Sequence, residues 1–98
     1  MKIAELLNDK TLKPKVKTET LSHWLLDNKL SIDELLVFAD TAKDSPKATC
    51  IEAIEFATRH DRKIVDETCF HFVSQTLTAK APRVKWESAR VIGNVAHL

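Results

Sequence analysis

Apolar side chains recur along this chain every three or four positions rather than every second one, so its pattern is helical from end to end. Punctuation divides that pattern into six segments. The first runs from Lys2 to about Asn8 with Ile3, Leu6 and Leu7 on one face, and the Asn-Asp-Lys-Thr stretch after it is a turn. Pro14 opens the second, because proline fits the first helical turn, where its missing N–H would have had no partner. That helix extends to about Asp27 and turns Val16, Leu21, Trp24 and Leu25 inward. Ser31 and Glu34 have the spacing of a capping box and predict a third helix with the stripe Ile32, Leu35, Leu36 and Ala39. For the fourth, Ser45 is the expected N-cap and Pro46 the first residue; it buries Ala48, Ile51, Ala53, Ile54, Phe56 and Ala57 and ends near His60. Asp61 is the expected cap of the fifth, whose stripe is Ile64, Val65, Thr68, Cys69, Phe72, Val73 and Leu77. The sixth spans Pro82 to His97, offers Val84, Ala89, Ile92, Val95 and Ala96 to the core, and has Gly93 to let a neighbouring helix approach closely.

The prolines make the second, fourth and sixth segments copies of one another. Pro14, Pro46 and Pro82 each open an apolar run, 32 and then 36 residues apart. Leu21, Ala53 and Ala89 follow seven positions after the prolines, and Trp24, Phe56 and Ile92 ten positions after. Phe56 is therefore expected to fill the central copy between both neighbours. Each copy is preceded by another helix, so the unit is a helix A, a short turn and a proline-started helix B. The chain divides into units of about 1–30, 31–60 and 61–98 within a single domain.

The third copy, Pro82-Arg83-Val84-Lys85-Trp86-Glu87-Ser88-Ala89-Arg90-Val91-Ile92-Gly93-Asn94-Val95-Ala96, resembles the B helix of the HEAT repeat, in which a proline-led turn precedes Val-Arg, small residues and Leu-Gly-x-Leu. Lys85 stands where that family prefers Arg, Thr49 replaces the basic residue in the second copy, and Leu25 and Ala57 occupy the glycine slot. The units are also shorter than the roughly 40–47 residues usual for HEAT and armadillo repeats, closer to the short HEAT-like repeats of many bacterial proteins. The resemblance implies an all-α fold, a right-handed α-α superhelix (solenoid) of three HEAT-like helix pairs. It also implies a scaffold that binds a protein partner without catalysis.

Composition agrees with a helical domain: 44% of residues are hydrophobic and 30% charged, with one glycine and no tyrosine. The net charge of +1 conceals an acidic middle, residues 27–67, between basic ends. Neither end is basic enough to announce nucleic acid. Cys50 and Cys69 fall inside helical runs, outside any disulfide framework, and are read as reduced. With Glu5 so near the start and no long apolar run, neither a signal peptide nor a membrane span is expected, which points to the cytoplasm. His23, His60, His71 and His97 are scattered and lack ligand spacing, so no metal or cofactor is expected, and no nucleophile–base set marks an enzyme.

If the chain follows the family, B helices line the concave face, and positions one, four, five and eight after each proline look outward. That row holds Lys15, Thr18, Glu19 and Ser22, then Lys47, Cys50, Ile51 and Glu55, then Arg83, Trp86, Glu87 and Arg90. The partner-binding candidates among them are Lys15, Glu19, Lys47, Arg83, Trp86, Glu87 and Arg90. Trp86 either packs against the end of the fifth helix or stands beside Arg83 and Arg90 as a binding hot spot. Basic residues at B-helix starts give an alternative, a nucleic-acid-binding module in the style of the HEAT-like alkylpurine DNA glycosylases, although Glu19, Glu52, Glu55 and Glu87 interrupt the basic track. An apolar edge built from Val91, Val95 and Leu98 favours self-association or continuation into further repeats.

Overall fold

The computed structural model describes residues 2–95, and every regular element among them is helical. In chain order these are α1 (Lys2–Asn8), α2 (Pro14–Leu26), α3 (Ile32–Thr41), α4 (Asp44–His60), a 3-10 turn at Arg62–Ile64, α5 (Glu67–Thr76) and α6 (Pro82–Val95). Helix α4 is the hub, with its most extensive contacts to α6 and α2. It also receives α3, while α5 packs on α6, α1 on α2, and α3 touches α5. The shortest dimension of the molecule is 20 Å, the thickness of two helix layers at about 10 Å each. Helices α2, α4 and α6 form one layer around α4, and the helix preceding each packs on it.

Several helix ends follow directly from the side chains at them. The Ser31 hydroxyl accepts the Glu34 N–H at 3.1 Å, the forward bond of the capping box. Pro14 and Pro82 are first residues of α2 and α6, as their fixed φ predicts. Helix α2 closes without glycine: Asn28 adopts φ 60, the left-handed conformation that asparagine tolerates, and the Lys29 and Leu30 N–H groups return to the Trp24 carbonyl.

Two expected boundaries are corrected. Helix α4 starts at Asp44, two residues before Pro46, with Lys43 in the N-cap position and no side-chain cap. Proline is tolerated throughout the first turn, so Pro46 marks that turn without marking its first residue. Asp61 caps only the 3-10 turn, its carboxylate accepting the Lys63 N–H at 3.0 Å. The cap of α5 is Asp66, which accepts the Cys69 N–H at 2.8 Å. The expected end of α6 at His97, and Ala96 with it, lies outside the described residues.

The core is the apolar interior between the layers. Ile3, Leu21, Leu35, Ile51, Ile54, Val73, Val84 and Val91 are fully buried, and Cys50 and Cys69 lie among them as free thiols. Burial raises both thiol pKa values to about 12, with the carboxylates of Asp66 and Asp33 adding to the shift at Cys69, so both remain protonated and unreactive. Trp24 packs half-buried against this core with Lys2 over its ring at 5.7 Å.

The proline alignment, however, does not align the buried faces. In α2 the buried positions are Thr18, Leu21, Ser22 and Leu25; in α6 they are Val84, Glu87, Ser88, Val91 and Val95, each two residues nearer its proline. A two-residue shift turns a helix by about 200°. This rotation exposes Ala89, expected inside, and buries Glu87, expected outside. Val16 and Thr68 are likewise exposed, and Phe56 is half-buried at the surface instead of filling the centre. Val91 and Val95 are buried within the chain and form no open edge; Leu98 lies outside the described residues.

Gly93 is exposed, and a Cβ built there meets no atom within 4 Å, so no helix of this chain uses it for close approach. Its φ is not positive either. Gly93→Ala should therefore stabilise α6 by about 0.5–1 kcal/mol, the ordinary helix preference for alanine, measurable as a raised urea midpoint. A lowered midpoint would reveal a contact at this position.

Candidate interaction face

The contacts among α2, α4 and α6 carry two strips of chemistry. The first is a charged ladder at the α4–α6 crossing. Glu52 on α4 accepts the Thr18 hydroxyl from α2 at 2.7 Å and the Arg83 guanidinium from α6 at 3.2 Å through the same oxygen, Oε1, tying three helices together. One turn further along α4, Glu55 accepts from Arg59 Nε at 2.6 Å and from Arg59 Nη2 at 2.7 Å. The Asn94 amide donates to Glu55 Oε2 at 2.9 Å and to the Thr58 hydroxyl oxygen at 3.0 Å. Burial alone would raise the Glu55 carboxyl, but the bonds from Arg59 and Asn94 and the charges of Arg59 and Arg90 outweigh it and hold it below the ordinary range.

Glu87 is the unsatisfied rung. It is 6% exposed, and its Oε1 has no hydrogen-bond partner. Arg90 Nη1 lies 3.7 Å from that oxygen, close enough for an ion pair but too far for a hydrogen bond. Burial first, then the neighbouring Glu52 carboxylate, raises the Glu87 carboxyl above the ordinary range against the pull of Arg90 and Arg83.

The second strip is a shallow cleft of about 190 Å³ between α2 and α4, lined by Glu19, Ser22, His23, Leu26, Phe56 and His60. The Arg59 guanidinium closes over the Phe56 ring at 4.5 Å. Neither strip places a nucleophile against a base. Among the described residues no group of three or more His, Cys, Asp or Glu is placed to hold a metal ion, and no helix is long and apolar enough to cross a membrane.

The candidates read from sequence scatter over this geometry. Lys15 and Arg90 are exposed, Glu19 borders the cleft, Lys47 is half-buried, and Arg83 is engaged by Glu52. Glu87 is buried and cannot meet a partner directly; Thr18, Ser22, Cys50, Ile51 and Glu55, expected in the same outward row, are buried too. Trp86 is 67% exposed, which excludes the reading that packs it on α5. It sits on α6 directly opposite the buried stripe, with Ala89, Arg90 and Gly93 beside it. Sequence reasoning missed the ladder, whose one local signal is the spacing of Glu55 with Arg59 and of Glu87 with Arg90. No protein-family model, curated protein or solved structure matches the chain.

Proposed function

We propose that this chain is a non-catalytic, HEAT-like helical scaffold that binds a protein partner over the outward face of its B helices, with Trp86 as the anchor. The observation that carries the reading is Trp86 itself: an indole 67% exposed on a terminal helix, flanked by Lys85 and Arg90. Exposing so large an apolar ring is unfavourable in an isolated chain, and tryptophan beside arginine is the composition in which interface binding energy concentrates. The charged ladder supports a scaffold role, because it uses polar side chains to fix α6 against α4 and so holds Trp86 on a rigid element.

A nucleic-acid module is the second reading, and it has less support. Two of its basic residues are engaged by the chain itself, Lys17 with the Leu7 carbonyl at 2.8 Å and Arg83 with Glu52. Glu52 adds a partly exposed carboxylate among them.

Trp86→Ala should weaken partner binding by about 2 kcal/mol or more and leave stability within about 0.5 kcal/mol. Pull-downs from the native cell with wild-type and Trp86→Ala baits, alongside urea melts of both, make the check. Equal recovery of the same proteins by both baits would refute the anchor role. Titration with labelled duplex at two salt concentrations separates the alternative, since phosphate contacts make affinity fall steeply with salt.

A further inference from the structure

The layer of preceding helices presents a surface opposite in character to α6. Helices α3 and α5 contain no lysine or arginine, while Asp33, Glu34, Asp40 and Glu67 lie on them. Between them runs an open groove of about 270 Å³, with Leu36, Val37 and Phe72 as its apolar lining and Asp40, Thr68 and Gln75 among its polar residues. Val37 is 71% exposed, the most open large apolar side chain described. The outward ridge of α6 offers an exposed indole beside Lys85 and Arg90, with Ala89 and Gly93 leaving room for a close neighbour.

We infer that the α6 ridge of one copy docks into the α3–α5 groove of a second copy, with Trp86 against Val37 and Phe72 and its flanking cations against the acidic rim. The inference rests on the reading of α6 as a binding surface and names its partner. Two observations select a second copy as occupant. Groove and ridge are complementary in charge: Asp40 and His71 are among the groove's lining, Asp33, Glu34 and Glu67 lie on the helices that form it, and the ridge carries Lys85 and Arg90 beside its indole. Both are also open within one molecule, so neither can satisfy the other except between copies. The contact joins two different surfaces and is heterologous, so each added copy presents a fresh ridge and a fresh groove. Growth by successive addition follows, and added salt weakens it.

Light scattering over a wide concentration range tests this with three forms: wild type, Trp86→Ala, which removes the ridge, and Val37→Lys, which puts a cation in the groove. Both substitutions are at exposed positions, and circular dichroism verifies that each variant stays helical. Wild type should grow in mass with concentration, and each variant should associate at least about tenfold more weakly, as loss of an interface anchor requires. An equimolar mixture of the two variants should then form a dimer and stop, because it contains one intact ridge–groove pair. A wild type that stays monomeric throughout, or either variant associating like wild type, would overturn the inference. A mixture that stays monomeric while each variant alone is impaired would also overturn it, because the contact would then be isologous. Failure here, together with a Trp86-dependent partner in the pull-down, would leave the scaffold reading standing; success here with no such partner would make self-assembly the use of the ridge.

Discussion

Ile54→Ala will destabilise the fold by about 2–5 kcal/mol, while Phe56→Ala, which removes more atoms two positions along the same helix, will cost only about 1–2 kcal/mol. The order inverts what side-chain size suggests, and burial is the cause. Ile54 is 0% exposed in the most heavily packed helix, so truncation leaves a void that α4 cannot collapse into without disturbing α2 or α6. A cavity adds to the lost transfer free energy. Phe56 lies at the surface cleft, where water replaces the deleted ring, and its main partner is the Arg59 guanidinium rather than the core. Urea melts of both variants under identical conditions decide the matter. If Phe56→Ala proved the costlier, the α4 face described above would be turned the wrong way.

The same comparison shows how far apolar periodicity carries. It locates every α-helix among the described residues, though not the 3-10 turn that takes Ile64 out of the fifth stripe, because a stripe at three-to-four spacing has no other way of burying itself, and Ser31, Pro14 and Pro82 fix starts by local chemistry alone. Rotation of one helix relative to another is not local. Pro14 and Pro82 look equivalent in sequence and each opens its helix, yet the faces that α2 and α6 bury differ by two residues, so an alignment on proline carries that error into the buried face of α6. Two residues on a helix exchange inside for outside. Ala89 and Glu87 trade places for that reason, whereas Phe56, Trp24 and Ile92 share one half-buried position ten residues after their prolines.

The candidate face was partly legible for a similar reason. Trp86 announces itself, since a large aromatic between basic residues contrasts with its surroundings whatever the register. Glu55 and Glu87 do not. A carboxylate in a helical pattern reads as solvated, and only the packed neighbours show that Glu55 has Arg59 and Asn94 to receive it while Glu87 has no hydrogen bond at Oε1. Long-range bonds of this kind span more than thirty residues, beyond the reach of spacing rules.

Glu87 gives the other large effect, through pH. A buried carboxylate oxygen without a hydrogen bond is costly, about 1–3 kcal/mol or more when charged, whereas the protonated acid is neutral and can donate to Glu52. Its folded-state value is raised above the ordinary 4.5, so the folded chain binds this proton more tightly than the unfolded one. The stability it contributes is present below pH 4.5 and lost as pH rises through the raised value. Glu55, held low by Arg59 and Asn94, acts with the opposite sign: its contribution is present above the ordinary range and lost as pH falls through its lowered value. Asp9, lowered by its bonds from Thr11, shares that direction from an exposed turn. Stability should therefore peak between the two windows and decline on the alkaline side through Glu87, which is faced by Glu52 and Arg59 on α4 and by Arg83 and Arg90 on α6. Glu87→Gln retains the shape and the donor but cannot ionise, so it should flatten that alkaline decline and exceed wild type there by about 1 kcal/mol or more. Urea melts at stepped pH, with the Glu87 side-chain carbon followed directly by NMR, provide the measurement. Parallel pH curves for the two proteins, with Glu87 titrating as an ordinary glutamate, would mean that water or Arg90 satisfies the orphan oxygen and that the ladder carries no buried acid.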